Sequence, residues 1–292
     1  MTRRISPSQF NSMVSQAQQK QRAALDKFKR DVRSWEQRVN RDIDRYNREV
    51  RAYNARVRAN RQRLANELSR LAHRTTTTRY VKFRTSVTKV LTAYESLERA
   101  ATEGRLDGRY NEFLDLSERE AANNAGLMNA LEGNGEVSEG SAPDSADSPV
   151  TAILRAISPE LGDRWLGAVY SLSPRNPDAA RHFCTSSREL ITSFLLKNAP
   201  DDRVFAAMPG CERTPQQTPT RRARIQYILR SRDMDEPEVE SFVEADMDNV
   251  VTLFHEFNEG THGSAGTFDL PQLQALRKRV EDGIMFLSRL VS

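Results

Sequence analysis

The sequence predicts an all-α protein, and three observations support that fold class. Apolar residues recur at steps of three and four along most of the chain, which is the period of an α-helix. No stretch shows the alternation of apolar and polar residues that is typical of a half-buried strand. Helix-start signals precede several apolar stripes. We therefore expect a long N-terminal coiled-coil helix packed on a helical hairpin, followed by a separate C-terminal helical-bundle domain.

Residues 1–74 are predicted to form a basic coiled-coil arm that is one helix from about residue 6 to residue 73. Ser6 is the expected N-cap, Pro7 the first helical residue and Gln9 the partner that completes a capping box. No Gly or Pro follows until Gly104. A seam of apolar residues at steps of three and four indicates a partner helix, with one local stutter. Its residues are Leu25, Phe28, Val32, Trp35, Val39, Ile43, Tyr46, Val50, Tyr53, Val57, Leu64, Leu68 and Leu71.

Charge is distributed unevenly between the arm and the remainder of the chain. Residues 1–74 carry 19 Lys and Arg against 7 Asp and Glu, a balance of +12, so the net charge of +4 leaves −8 for the other 218 residues. A basic arm favours an anionic partner, and nucleic acid, an acidic protein face and the acidic part of this chain all qualify. The excess of Arg over Lys is typical of phosphate recognition but also of a composition bias across a genome.

Arginines beside the seam are the predicted nucleic-acid-binding residues of the arm. They form a basic stripe that could follow a phosphate backbone. The alternative is a solvated coiled-coil flank, in which the regularly spaced Asn40, Asn47 and Asn54 fix the register. The stripe residues are Arg41, Arg45, Arg48 and Arg51.

The rest of the chain is expected to divide into a hairpin, a linker and a C-terminal domain. Two apolar stripes predict helices at about 80–102 and 108–131, so residues 75–131 form a hairpin that packs on the arm. Residues 132–149 are acidic, small and nearly free of apolar side chains, which predicts a disordered linker. Residues 150–292 contain most of the large apolar residues and form the C-terminal all-α domain.

Inside the C-terminal domain, proline and proline-flanking signals set the expected helix starts. Helices are predicted from Pro159, from the Asn176–Pro177 pair to about residue 198, from Pro237 to about residue 261, and from about residue 270 to the end. A loop rich in Pro and Gly precedes a basic helix. Three arginines of that helix are further candidates for nucleic-acid binding: Arg221, Arg222 and Arg224.

Two groups of residues could carry out chemistry. One is His182, Arg188 and Glu189 on a single helix. In the other, helical spacing places His255, Asn258, Glu259 and His262 on one face at the end of another helix. Two imidazoles, an amide and a carboxylate suit general acid–base work. A solvated or capping role at the helix terminus is the favoured alternative, and metal binding is least favoured because the second histidine of a zinc-protease helix is missing.

Other motifs carry less weight. Metal-independent ribonucleases of the HEPN class use an Arg followed by four to six residues and a His, and Arg175 with His182 fits that spacing. Chance alone predicts roughly 1.5 such matches in a chain this rich in Arg, so the spacing by itself does not identify a site. Cys184 and Cys211 are interpreted as structural or incidental. No metal site is predicted, and a need for Mg²⁺ is left open.

Four segments resemble bacterial proteins of the predicted pPIWI-associating nuclease family. They are residues 2–9, 46–64, 181–190 and 257–263. The resemblance implies a component of prokaryotic mobile-element or phage-defence neighbourhoods, with a HEPN-like helical C-terminal module. It places the recurring polar residues of the family on Arg188, Glu189, Asn258 and His262, which are our predicted catalytic residues. The expected Arg just before His262 is missing, because Asn258 stands in that region.

Two functions follow as hypotheses. In the first, the protein is a nuclease of prokaryotic defence, Arg188 binds phosphate, His262 acts as acid or base, and the arm binds nucleic acid or a partner protein. In the second, it is a non-catalytic adaptor that forms a homo-oligomer through its coiled coil and docks a defence effector. No apolar run approaches the roughly 18 residues of a membrane helix, and no secretory signal is visible, so we expect a cytoplasmic protein without membrane contact.

Overall fold

The computed structural model describes residues 6–73, 80–132, 148–173, 175–259 and 270–291. Within these ranges the regular elements are helical, apart from an isolated bridge between Arg213 and Pro219, so the predicted fold class is confirmed. The helices are α1 (Pro7–Ala72), α2 (Val81–Thr102), α3 (Asn111–Leu131), α4 (Pro149–Ile157), α5 (Pro159–Ser171), α6 (Ala179–Asn198), α7 (Asp201–Ala207), α8 (Arg221–Arg230), α9 (Pro237–Glu259) and α10 (Leu270–Val291).

Helix α1 begins as the sequence predicts. The Ser6 backbone N–H donates to Gln9 Oε1 at 3.1 Å, and the Gln9 N–H donates back to Ser6 Oγ at 3.3 Å. This reciprocal pair satisfies two N–H groups that a helix start otherwise leaves without partners. Since no helix breaker follows, the helix continues to Ala72.

The chain divides into two compact units, Met1–Ala59 and Asn60–Ser292, so the boundary falls inside α1. In the first unit, which we call unit 1, the described part is a single helix. Its seam is solvent-exposed at Phe28, Trp35, Ile43 and Tyr46. None of the side chains described in this unit is buried, so an apolar stripe of a coiled-coil type lies open along it.

The second unit, unit 2, contains the core. Phe113 of α3, Phe242 of α9 and Phe286 of α10 have ring centroids 5.9–6.1 Å apart, and Tyr94 of α2 meets the Phe242 ring edge-on at 6.4 Å. The hairpin of α2 and α3 therefore shares one core with the C-terminal helices. Aromatic rings at these distances and tilts stabilise the packing of all four helices.

This shared core corrects two expectations about domains. The predicted hairpin of residues 75–131 and the predicted domain of residues 150–292 are not separate, because α2 packs chiefly on α9 and α3 on α10. The hairpin contacts the part of α1 that belongs to the second unit, where Leu64 is buried and Asn60 Nδ2 donates to Asp115 Oδ1 at 2.8 Å. The predicted stripes of α2 and α3 are correct, but their partner helices lie more than 100 residues further along the chain.

Other boundaries agree with the sequence to within a few residues. Pro159 begins α5 and Pro237 begins α9, as predicted. Two short helices were missed, although the start of α4 carries the usual signal: Ser148 Oγ accepts from the Thr151 N–H at 3.2 Å. The second is α7, Asp201–Ala207. Residues 133–147 of the predicted linker lie outside the described residues.

Candidate functional site

An open depression of about 380 Å³ lies along the first half of α6. It is formed by one face of that helix, on which side chains three, four and seven residues apart are neighbours. Its lining is wholly polar, with one imidazole, one guanidinium, one carboxylate and two hydroxyls. The lining residues are Asp178, Arg181, His182, Thr185 and Ser186.

Asn176 fixes the start of this helix. Its Nδ2 donates to the Ser171 carbonyl at 2.7 Å, and its Oδ1 accepts from the Asp178 backbone N–H at 3.1 Å. The side chain thus ties the end of α5 to the first turn of α6 and satisfies an N–H at the helix start. Because α5 and α6 are also held by the Trp165 and Phe183 rings, 6.0 Å apart, the depression rests on rigid elements.

His182 is exposed in the depression and is held from two sides. Asn176 Nδ2 lies 3.2 Å from His182 Nδ1, and Asp178 Oδ2 lies 3.7 Å from His182 Nε2. An amide N–H that donates to Nδ1 leaves the proton of a neutral imidazole on Nε2. Asp178 also pairs with Arg181 at 2.7 Å, which places a guanidinium directly beside the imidazole.

This arrangement has the groups that a phosphodiester site requires. A histidine that has an amide and a carboxylate as partners can accept or donate a proton, and a neighbouring arginine can hold a phosphate oxygen. Arg175 is exposed in the turn that precedes α6, seven residues before His182. The sequence contained this pair, but only the Asn176 contacts distinguish it from the chance matches.

The predicted residues Arg188 and Glu189 lie further along α6, and both are exposed. Glu189 follows His182 by seven residues and shares its face, whereas Arg188 shares the face of Arg181. The Glu189 carboxylate pairs with Arg164 of α5 at 2.9 Å.

The second predicted group is described only in part. His255 is exposed on α9. The side chains of Asn258 and Glu259, and the whole of His262, lie outside the described residues. Convergence of Arg188 and Glu189 with Asn258 and His262 therefore stays a prediction.

The cysteines differ in access to solvent. Cys184 of α6 is fully buried, and burial raises the pKa of its thiol far above the ordinary value. Cys211 is partly exposed in the loop before α8. In the parts of the chain that the structure describes, no three His, Cys, Asp or Glu side chains are grouped so as to hold a metal ion.

The arginine stripe predicted to bind nucleic acid is exposed in unit 1. Arg41, Arg45, Arg48 and Arg51 are all solvent-accessible on α1. A depression of about 460 Å³ lies among Arg38, Arg41, Arg45 and Arg48 and two carboxylates, Asp42 and Asp44. Asp42 pairs with Arg45, so part of the positive charge is already compensated.

The three arginines of α8 are paired with carboxylates of the neighbouring helices. Arg221 pairs with Asp248 of α9, and Arg222 pairs with Glu244 at 2.6 Å and with Glu240. Arg224 is buried and donates to the Ala199 carbonyl and, at 2.5 Å, to Asp201 Oδ1. These cations hold α7 and α9 against α8, and their binding of nucleic acid stays a prediction.

A buried ion cluster between α3, α9 and α10 was not foreseen. Arg279 is 1% exposed, and its Nη2 donates to Asp246 Oδ1 at 2.6 Å, while its Nη1 lies 3.3 Å from Glu120 Oε2. Asn124 joins both sides, since its Oδ1 accepts from Arg279 Nε and its Nδ2 donates to Asp246. In the sequence these residues look like ordinary polar positions on three amphipathic helices, so nothing there indicated their burial.

Burial raises the pKa of Glu120 to about 8, with the Asp246 charge adding to the shift and Arg279 opposing it. The shorter contact joins Arg279 to Asp246, so we assign the negative charge to Asp246 and a proton to Glu120 near neutral pH. One cation and one anion then remain, and the cluster is neutral. Its members are buried away from solvent, so we treat it as structural.

Comparisons with known proteins bear on the second unit. The family model described as "Predicted pPIWI-associating nuclease" matches residues 154–287, a range that includes the depression on α6 and the buried Arg279. Searches of curated proteins and of solved structures found no match. In the parts of the chain that the structure describes, no helix is long and apolar enough to cross a membrane. Residues 154–287 are therefore similar to the predicted pPIWI-associating nuclease family.

Proposed function

We propose that the protein is a nuclease and that the depression on α6 is its active site. The observation that carries the proposal is the placement of His182, Arg181 and the Asn176 contact inside the region that matches a family of predicted nucleases. The family's description also supports a role beside a pPIWI protein, which agrees with a function in prokaryotic defence against mobile elements or phage.

The side chains present suit cleavage of RNA by its own 2′-hydroxyl. His182 accepts the proton of the 2′-hydroxyl at Nδ1, where the substrate hydroxyl replaces the Asn176 amide as hydrogen-bond donor, and the 2′-oxygen attacks the adjacent phosphorus. The bond from phosphorus to the 5′-oxygen breaks, and the leaving oxygen takes a proton from water. Arg181 and Arg175 hold the phosphate oxygens, where charge accumulates in the transition state. The products are a 2′,3′-cyclic phosphate and a 5′-hydroxyl.

Three histidine variants test this assignment. Wild type, His182→Ala, His262→Ala and His255→Ala are incubated with labelled single-stranded and double-stranded RNA and DNA, with and without Mg²⁺. We expect RNA cleavage without Mg²⁺, lost in His182→Ala by at least about 100-fold and kept in the exposed control His255→Ala. Loss in His262→Ala alone would instead assign catalysis to the residues predicted from the family resemblance.

The exposed stripe of unit 1 is proposed to bind the nucleic-acid backbone. Replacement of Arg41 and Arg48 by Gln should weaken binding and reduce its salt dependence by about two counterions. The matched control replaces Arg99 and Arg203, two exposed arginines of unit 2, and removes the same net charge. An equal effect of both pairs would show that only the overall charge matters.

The adaptor remains the alternative, and the open seam of α1 favours it. In that function the chain docks a defence effector and cuts nothing. If no substrate is cleaved by wild type under any of the conditions above, the adaptor replaces the nuclease as the proposed function.

A further inference from the structure

The seam of unit 1 can be extended toward the N-terminus from Phe28, with Ala24 taking the place of its neighbour Leu25. Continuing the steps of three and four backwards along α1 from Phe28 reaches Phe10 through small or apolar residues and one Gln. Within this extended seam, Phe10, Phe28, Trp35 and Tyr46 are each 59–68% exposed. Its residues, which we call the seam from here on, are Phe10, Val14, Ala17, Gln21, Ala24, Phe28, Val32, Trp35, Val39, Ile43, Tyr46, Val50, Tyr53 and Val57.

The spacing of the seam is symmetric about its midpoint. Its fourteen positions span 48 residues, and the 13 steps between them average about 3.6 residues, so they lie along one face of a straight helix. The order of the steps of three and four is the same when it is read from either end of the seam. Two consecutive steps of four occur at two places, and these places lie at equal distances from the midpoint. When two such helices run antiparallel about a point between residues 33 and 34, every seam residue therefore meets a seam residue.

The side chains that meet in this antiparallel register are complementary in size. No layer contains two aromatic residues, and each small residue faces a larger one. The seven layers are Phe10 with Val57, Val14 with Tyr53, Ala17 with Val50, Gln21 with Tyr46, Ala24 with Ile43, Phe28 with Val39 and Val32 with Trp35. A parallel pair in register would place Trp35 on Trp35 and Ala17 on Ala17, which alternates overfilled and empty layers.

Charges beside the seam favour the same direction. In the antiparallel register Lys29 lies beside Glu36 of the second copy, and Asp31 lies beside its Arg38. Further out, Lys20 lies beside Glu49 of the second copy. By the two-fold symmetry each of these three pairs occurs twice, and all six are attractive. A parallel pair in register would instead place Asp31 beside Glu36 of the second copy, which is repulsive.

The area of the seam is large enough for a specific dimer. An aromatic side chain has about 150–250 Å² to bury, and the four aromatics named above are mostly exposed in each copy. With the aliphatic members, two copies offer roughly 1,200 Å² or more, the lower limit of stable specific interfaces.

We propose that two copies of this chain associate as an antiparallel coiled-coil dimer through the seam of α1. A second copy is the occupant that the symmetric spacing selects, since a different partner would need no such symmetry. The pairing uses the seam and leaves Arg41 and Arg48 on other faces of the helix, so it does not depend on the proposed nuclease activity.

The first test is the mass of the full chain by light scattering over a range of concentrations, for wild type and two variants. We expect a dimer for wild type. Trp35→Glu puts two carboxylates into the seam of each dimer and should raise the dissociation constant at least about 100-fold. Ser34→Glu, one residue off the seam, should leave it within a few-fold. A monomeric wild type, or a Trp35→Glu protein as dimeric as wild type, would overturn the proposal.

The relative direction of the two paired helices is tested with single cysteines in a Cys211→Ser background. Ala17→Cys and Val50→Cys proteins, one carrying a size tag, are mixed and oxidised, and the products are separated without reductant. Antiparallel pairing predicts the mixed disulfide, because residue 17 lies roughly 50 Å from residue 17 of the second copy. Disulfides of each protein with itself would show a parallel pair, contrary to the proposal.

Reversing the charge of Glu36 tests the relative direction of the two helices independently. Glu36→Lys should weaken the antiparallel dimer, because the introduced ammonium then lies beside Lys29 of the second copy. The same substitution would strengthen a parallel dimer, in which the ammonium lies beside Asp31. Lys29→Glu combined with Glu36→Lys should restore wild-type association. Both variants keep a helix-favouring residue at each position, so helix content by circular dichroism should be unchanged.

Discussion

Arg279 Nη2 lies 2.6 Å from Asp246 Oδ1 in the interior of the second unit, and neither side chain is more than 1% exposed. The pair joins α10 to α9, and through Asn124 and Glu120 it also joins α3. A buried charge pair contributes little net stability compared with apolar residues, but the loss of one partner is costly. The cluster therefore specifies how these three helices are arranged rather than simply adding to the core.

Replacement of Arg279 by Met should destabilise the protein strongly. Met roughly matches the length of the side chain but leaves Asp246 as an uncompensated buried anion, for which we expect a loss of about 3–5 kcal/mol in the free energy of unfolding. Arg289→Met is the control, because Arg289 is exposed on the same helix and should matter little. Urea unfolding of both variants checks the difference, and equal midpoints would contradict it.

Gly283 provides space for the guanidinium of Arg279. A Cβ at this position would lie 3.0 Å from Arg279 Nη1, closer than a comfortable contact. Gly283→Ala should therefore cost about 1–3 kcal/mol despite the better helix propensity of Ala. Gly167→Ala on α5 is the matched control, since its Cβ would meet no atom within 4 Å. That variant should gain about 0.5–1 kcal/mol, and thermal unfolding of the two should shift in opposite directions.

The two cysteines should react with a thiol reagent in two separate phases. Cys211 is partly exposed and should be modified rapidly in the native protein, whereas Cys184 is buried with a raised thiol pKa. We expect one fast thiol per chain and a second only as urea unfolds the second unit. Cys211→Ser should abolish the fast phase, and a fast phase that survives this substitution would show that α6 opens readily.

The sequence predicted individual helices better than their packing. Capping signals such as Ser6 with Gln9, and prolines such as Pro159, are local, so they can be read from a few neighbouring residues. The pairing of α2 with α9 joins residues more than 150 positions apart, and both stripes fit several partners equally well. The arginines of α8 show the same limit, because their acidic partners on α9 are apparent only in three dimensions.

The candidate site was predictable only in part. His182 was singled out from the sequence, but its spacing from Arg175 is common in a chain with so many arginines. The contact from Asn176 to His182 and the carboxylate of Asp178 distinguish this histidine, and both depend on how the turn before α6 folds. The buried pair of Arg279 and Asp246 gave no signal at all, because ionisable residues are expected on exposed helix faces.

Glu120 should make stability depend on pH in a direction opposite to that of most paired carboxylates. Its pKa is raised to about 8 by burial, against an ordinary value of 4.5. The folded state therefore holds this proton more tightly than the unfolded state, and the free energy of unfolding should fall as pH rises from about 4.5 to about 8. Glu120→Gln keeps a neutral hydrogen-bonding group and should lose this dependence, so it should gain stability relative to wild type between pH 5 and pH 9.

Glu95→Gln, at an exposed position of α2, is the control for the Glu120→Gln variant and corrects for other titrating groups. Urea unfolding at several pH values measures the difference, and a Glu120→Gln protein that loses stability relative to wild type at high pH would show that Glu120 is ionised beside Arg279.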